Sequence, residues 1–372
     1  MKKKERTFDD ILEELKQYFY QAGDEDFSKP IKNILEQNDD IKPQEYIITL
    51  LNFLENIIPE NVRENFYRNL RTLLIELNFD YDFSNVDENT NETLVESLRY
   101  YPTNELIVNP VYLKIIITAI QRIGCSIKIL TTVLKKGILH ELCHMASSYY
   151  DEEKKIYFSG FSANLFESNE RSSQALTEGM TEVIAWEGIT DTIKTSSGYY
   201  VESLFVMQLM QIVGKKLMLE SYFGNKGTIE IKKELDKFSY GILQSDILLS
   251  DIEENFLKYK TGNKEKQTLL ASIQITLIEY YRNKMLHLIE NKLITKEAAE
   301  ESLVVYEDSL IRPEVMKEKT DNIEIFVGLD ESIERFNSVK QEMIDMLSDN
   351  YTMNGEKKYT KKRTSPRNTG NK

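Results

Sequence analysis

The sequence predicts an α+β protein that is predominantly α-helical, and three features carry that expectation. Apolar residues recur at helical spacing over most of the chain, most continuously through residues 232–347. Strand-forming runs are few and short, at 105–108 and 156–162, so any β-sheet is small. Between them lies a helix around His140 that is apolar on most of its surface, which suits the middle of a domain.

From the start of the chain, residues 7–23 form an amphipathic pattern. Asp9 or Asp10 caps it, and Ile11, Leu12, Leu15 and Phe19 make its stripe. After a loop with Gly23 and Pro30, two helices are expected at 43–57 and 60–78, separated at Pro59. Ile47, Leu50, Leu51 and Leu54 share one face; Phe66, Leu70, Leu73, Leu74 and Leu77 share the other. Residues 1–79 thus read as an N-terminal helical segment, and 80–103 as an acidic linker. Asp80, Asp82, Ser84 and Asp87 invite a calcium-loop reading, but Asn85 stands where glycine must turn the loop and Asn91 where a bidentate Glu must close it.

A core region is expected over 104–225. It opens with the strand 105–108 and a helix started by Asn109-Pro110 and ended at Gly124. Ser126 caps the next helix, which runs to about Ser148. Ile138, Leu142 and Met145 form its buried stripe, widened by Leu139, Cys143 and Ala146. Residues 156–162 read as a strand or tight hairpin, either an ordinary hairpin over the core or an edge open to main-chain pairing with an extended chain. Helices follow at 175–185 and from Tyr199 or Tyr200 to Gly214. Residues 226–350 form a helical C-terminal part, with helices at 235–249, 252–259, 269–293, 296–306 and 333–347, interrupted at Gly262 and Pro313. Residues 351–372 read as a basic, disordered tail.

Composition bounds the function. The 372 residues, 41% hydrophobic and 29% charged, can bury a core without disulfides. Cys125 and Cys143 fit a compartment where thiols stay reduced, and the acidic Asp9 and Asp10 stand where a secretory signal needs an apolar run, so the expected location is cytoplasmic. No apolar run has the length of a membrane span. Net charge is −14, and the tail Met353–Lys372 holds seven Lys or Arg against one acid, which leaves the rest more acidic still. The folded part therefore repels nucleic acid and anionic membrane, and cationic substrates suit it better.

The chain has only three histidines, and two of them form His140-Glu141-Leu142-Cys143-His144. Residues four apart lie on one helical face, so His140 and His144 can converge on one ion while Glu141 reaches the water that the ion carries. A catalytic zinc needs three protein ligands and an open position. Downstream, Thr177-Glu178-Gly179-Met180-Thr181-Glu182 sets two acids four apart: Glu178 as third ligand, and Glu182 as acceptor of a ligating histidine's outer N–H. Glu167 and Glu170 are rival third ligands, and Asp151 a more distant one. Cys143 points round the helix from the pair and reads as a small buried hydrophobe; His287 reads as a structural histidine.

On these residues the chain resembles the zincin metallopeptidases of the gluzincin type, in which H-E-x-x-H on one helix is completed by a glutamate on a following helix. The likeness spans residues 105–225. Thr177 replaces the commoner Asn, and the interval from His144 to Glu178 is longer than usual. Ser147 and Tyr150 exclude the metzincin branch. The resemblance implies a zincin-like catalytic core with one Zn²⁺ per chain held by His140, His144 and Glu178, Glu141 as general base and Glu182 behind the ligands. It also implies a peptide or protein substrate and a tyrosine at the oxyanion: Tyr200, with Tyr199 and Tyr222 behind it. The competing expectation is a zincin-derived binding or regulatory protein with an acidic helical surface, against which the intact Glu141 argues.

Overall fold

The computed structural model describes residues 43–72, 74–77, 98–101, 105–108, 127–151, 153–165, 171–189, 199–261, 269–319 and 327–360. The helices expected at 7–23 and 109–124, the linker residues 80–91, Cys125, Glu167 and Glu170 lie outside them. What is described is α+β and predominantly helical. It divides into two compact units, Met1–Val206 with Lys215–Ile231, and Met207–Gly214 with Lys232–Lys372. Among the described residues no helix is long and apolar enough to cross a membrane.

The first unit is arranged around the helix that carries the histidine pair. Its elements are α1 (Pro43–Ile57), a 3-10 turn (Glu60–Val62), α2 (Arg63–Thr72), β1 (Leu74–Leu77), β2 (Leu98–Tyr101), β3 (Glu105–Val108) and α3 (Ile127–Ser147). Then come β4 (Ser148–Asp151), β5 (Ile156–Ser159), β6 (Ser162–Leu165), β7 (Arg171–Ser172), α4 (Gln174–Ile189), α5 (Tyr200–Val213) and α6 (Lys215–Phe223). Ile138, Leu139, Leu142, Cys143, Met145 and Ala146 of α3 are all at most 1% exposed, so a broad face of its C-terminal half is buried, and the helix packs with α1, α2, α4, α6 and strands of both sheets. Asn69 of α2 ties α3 to its exit: its amide donates to the carbonyls of Met145, at 2.8 Å, and Ser148, at 2.6 Å. The helix stops because Ser147 and Ser148 donate their hydroxyls back to the His144 carbonyl, occupying the acceptor that another turn would use.

Two small sheets flank it. One is mixed, in the order β1-β3-β2, with β1 parallel and β2 antiparallel to β3. The other is an antiparallel meander, β4-β5-β6-β7. Three expectations are corrected here. Residues 60–78 are not one helix: α2 ends at Thr72 and Leu74–Leu77 is a strand, because a run of Leu and Ile satisfies either period and pairing with β3 decides it. The linker expected to residue 103 already contains β2, whose Leu-Arg-Tyr-Tyr has strand character and pairs with β3. The segment 156–162 is the β5–β6 hairpin, as its sequence allowed, but β4 and β7 cover both sides of it, so it offers no edge to a substrate.

The second unit is helical: α7 (Ile229–Asp236, shared with the first), α8 (Ser245–Thr261), α9 (Leu269–Glu290), α10 (Lys296–Asp308), α11 (Pro313–Lys319) and α12 (Leu329–Thr360). The helix expected at 235–249 is broken between α7 and α8, where Tyr240 and Gly241 take positive φ of 45° and 74°. Pro313 opens a helix rather than merely interrupting one, the position its fixed φ suits. The last helix runs through Thr360, beyond the point where the basic tail was expected to begin. Buried Gln208 and Gln274 pin loop backbone here, Gln208 Nε2 donating to Ser309 O at 2.9 Å and Gln274 Oε1 accepting from Ile311 N–H at 2.6 Å. His287 packs against Phe238 in this unit.

Because Leu142 is fully buried on α3, truncation there is costly. Leu142→Ala is expected to lower unfolding free energy by about 2–5 kcal/mol in urea titrations. Ile242→Ala, at a site 82% exposed, is expected to change it by no more than about 0.5 kcal/mol.

Candidate metal centre

The centre is where the last turns of α3 meet the first turns of α4. On α3, His140 and His144 present rings 4.9 Å apart at 73°, with their Nε2 atoms 3.2 Å from one another. On α4, Glu178 brings its Oε2 to 3.3 Å from His140 Nε2 and 3.5 Å from His144 Nε2. Among the described residues this is the group of three His, Cys, Asp or Glu side chains whose donor atoms lie close enough to share one ion. A tetrahedral site with zinc–ligand bonds of about 2.0–2.1 Å has ligand-to-ligand edges of about 3.3–3.4 Å, and the three edges here are 3.2, 3.3 and 3.5 Å. Glu178 Oε2 is also buried without a hydrogen bond. A buried carboxylate oxygen facing two imidazole nitrogens in this way calls for a cation. The residues present therefore fit a divalent metal.

Each histidine is aimed by a partner on its other nitrogen. His140 Nδ1 donates to Glu182 Oε2 at 3.2 Å, and His144 Nδ1 lies 3.3 Å from Ser159 Oγ. With both Nδ1 atoms occupied, both Nε2 atoms are left to face Glu178. Ser159 was not singled out from the sequence, because a hairpin brings it here and no local spacing marks it.

The β5–β6 turn locks the two helices together. Two hydroxyls, one per helix, accept two successive N–H groups of that turn: Ser147 Oγ from Gly160 at 3.0 Å, and Thr177 Oγ1 from Phe161 at 3.1 Å. Thr177 passes its own proton to Ser173 O at 2.9 Å. Its hydroxyl thus anchors the residue just before Glu178, a task for which Asn is not needed. Gly160 has φ of +59°, and a Cβ there would fall 2.6 Å from the Tyr222 ring. Gly179 serves a second close approach, since a Cβ would sit 2.5 Å from the Glu202 carbonyl oxygen of α5. The glycine after Glu178 is what lets α5 press on α4.

The remaining sequence candidates fall as follows. Glu141 is half-buried on α3 beside His140, and its charge is felt by His140, Cys143 and Tyr199. Tyr199, rather than Tyr200, lies with its ring stacked on His140, 5.7 Å between centroids and 11° between planes. Tyr200 is buried, and its carbonyl accepts the Ser203 hydroxyl. Tyr222 is fully buried with its hydroxyl bonded to Thr181 at 2.5 Å, beneath the centre. Asp151 is paired with Lys154 in the β4–β5 connection, at 3.0 Å. Cys143 is fully buried, and burial pushes its thiol up. The sequence reading missed Lys136, which forms an ion pair with Glu182 Oε1 and lies 4.8 Å over the Trp186 ring.

Electrostatics here are dominated by buried opposite charges. Burial pulls the His140 imidazole down, but the carboxylates of Glu178 and Glu182, with Glu141 nearby, outweigh it and push its pKa up to about 10. Burial pulls Glu178 up, and His144 and His140 more than offset this, holding its carboxyl well below the usual range. Glu182 behaves likewise, with His140 and Lys136 outweighing burial. Tyr199 is raised by burial and then by Glu178, Glu141 and Glu182, so its hydroxyl keeps its proton.

Comparison of the chain with known protein families, curated proteins and solved structures finds no match.

The raised His140 pKa gives metal binding a definite pH dependence. Without metal, His140 carries a proton at neutral pH, and a ligand imidazole must give it up. Calorimetry in buffers of different ionisation enthalpy is expected to show about one proton released per metal at pH 7.5. Affinity should rise by up to tenfold per pH unit from 7 towards 9 and weaken as pH falls.

Proposed function

We propose that the chain is a zinc-dependent metallopeptidase that hydrolyses peptide bonds, with a centre of the gluzincin kind: His140, His144 and Glu178 as ligands and Glu141 as general base. The observation that carries this reading is the triangle of donors, whose edges match a tetrahedral zinc site and beside which Glu141 lies on the same helix. A structural zinc is closed by four protein ligands, whereas three ligands with an adjacent carboxylate are the plan of a hydrolytic one.

Bound zinc would supply a Lewis acid that lowers the pKa of a water and polarises the scissile carbonyl. Glu141 removes the proton from the attacking water and hands it to the leaving nitrogen as the C–N bond breaks. Glu182 and Ser159 hold the imidazoles so that their Nε2 atoms stay directed at the centre. We assign the oxyanion donor to Tyr199 in place of Tyr200, because its ring lies on His140 and its phenol stays protonated.

The test is a peptide-library cleavage assay on protein of known metal content. Glu141→Gln is expected to retain zinc and lose about 10²–10⁴-fold in kcat. Tyr199→Phe should lose about 10²-fold with little change in KM. Wild-type turnover by a zinc-loaded Glu141→Gln protein would refute the assignment.

A further inference from the structure

Lys136 lies one helical turn before His140 on α3. Its ammonium is paired with Glu182 Oε1, and the other oxygen of the same carboxylate holds His140 Nδ1 at 3.2 Å. The chain of contacts therefore runs from ammonium to carboxylate to imidazole to the donor triangle. Glu182 is 1% exposed, too deep for water to solvate and screen its charge. Three carboxylates act on His140, those of Glu178, Glu182 and Glu141, so the metal-free centre carries more negative than positive fixed charge.

Resting on the reading of this centre as a metal site, we propose that Lys136 is its standing counter-ion. The residue holds Glu182, and through it His140, in place when no metal is bound. Because it has the same sign as the metal, it also moderates the affinity for it. Lys136 touches neither ligand atoms nor substrate and is a positioning residue. Its two effects have opposite signs on removal. The metal-free fold loses the partner of a buried carboxylate and weakens, while the metal gains a site with one cation fewer and binds more tightly. A purely structural lysine would instead leave the site looser and the metal bound less tightly or unchanged.

The experiment uses the full chain as Lys136→Met, Lys136→Arg, Glu182→Gln and the double variant Lys136→Met/Glu182→Gln. Two quantities are read: the thermal midpoint after chelation, and the zinc dissociation constant by competition with a chromophoric chelator. Lys136→Met is expected to lower the metal-free midpoint and to tighten zinc by about tenfold, the order Coulomb's law gives for a unit charge acting on a dication through a partly screened pair. Lys136→Arg should restore both. With Glu182→Gln already in place, adding Lys136→Met should leave the metal-free midpoint unchanged, because the amide needs no counter-ion, while zinc should still tighten, because the same like charge is removed. Zinc binding that weakens or stays the same in Lys136→Met, or equal shifts of the metal-free midpoint in both backgrounds, would overturn the proposal. Should Lys136→Met fail to fold without metal, the double variant decides: folding supports a charge role, and failure refutes it. Absence of zinc binding in the wild type would sink the metallopeptidase reading, while the midpoints of the single and double variants would still decide whether Lys136 is the counter-ion.

Discussion

The arrangement of the centre depends on a contact between two helix ends that are thirty residues apart in sequence, and a hairpin turn makes that contact specific. Ser147 at the end of α3 and Thr177 near the start of α4 each accept a backbone N–H from Gly160 or Phe161. The same turn supplies Ser159 to His144. One short connection thereby sets the spacing of the helices, the rotation of α4 that aims Glu178, and the orientation of one imidazole. Gly160 permits the turn and Gly179 permits α5 to close on α4, each at a point where a Cβ would overlap a neighbour.

Burial turns this geometry into chemistry. Glu182 is almost wholly inaccessible and Glu178 is 13% exposed, and each acid is held ionised by imidazoles and, for Glu182, by the Lys136 ammonium. In such surroundings charges interact strongly and an unpaired one is costly, so the acids, histidines and lysine form one coupled group. The apolar shell of α3 keeps water from loosening it, with Leu142, Cys143 and Ala146 filling the side of the helix turned from the centre. Stability and site geometry are thus properties of the same packing.

How much of this was legible in the sequence follows from which signals are local. His140, His144, Glu178 and Glu182 lie at four-residue spacing on two helices, and periodicity exposes such pairs directly. Ser159 and Tyr199 reach the histidines through a hairpin and a helix start, contacts with no spacing to betray them. Lys136 was not singled out, since a lysine stem can run along a buried surface and deliver its charge away from its own position, which no spacing marks. The strand Leu74–Leu77 was misread because its apolar run fits either period, and β2 because its partner is set only by tertiary pairing. The hairpin at 156–162 was recognised, but its interior place in the sheet depends on β4, which follows directly from α3.

The central claim is that His140, His144 and Glu178 bind one zinc together. The most direct measurement is elemental analysis of purified wild type beside His144→Ala and Glu178→Ala, with folding checked by circular dichroism. The account predicts about one zinc per chain in the wild type and loss of it in both variants while the fold persists. A wild type that takes up no divalent metal, or a Glu178→Ala protein that retains it fully, would contradict the account.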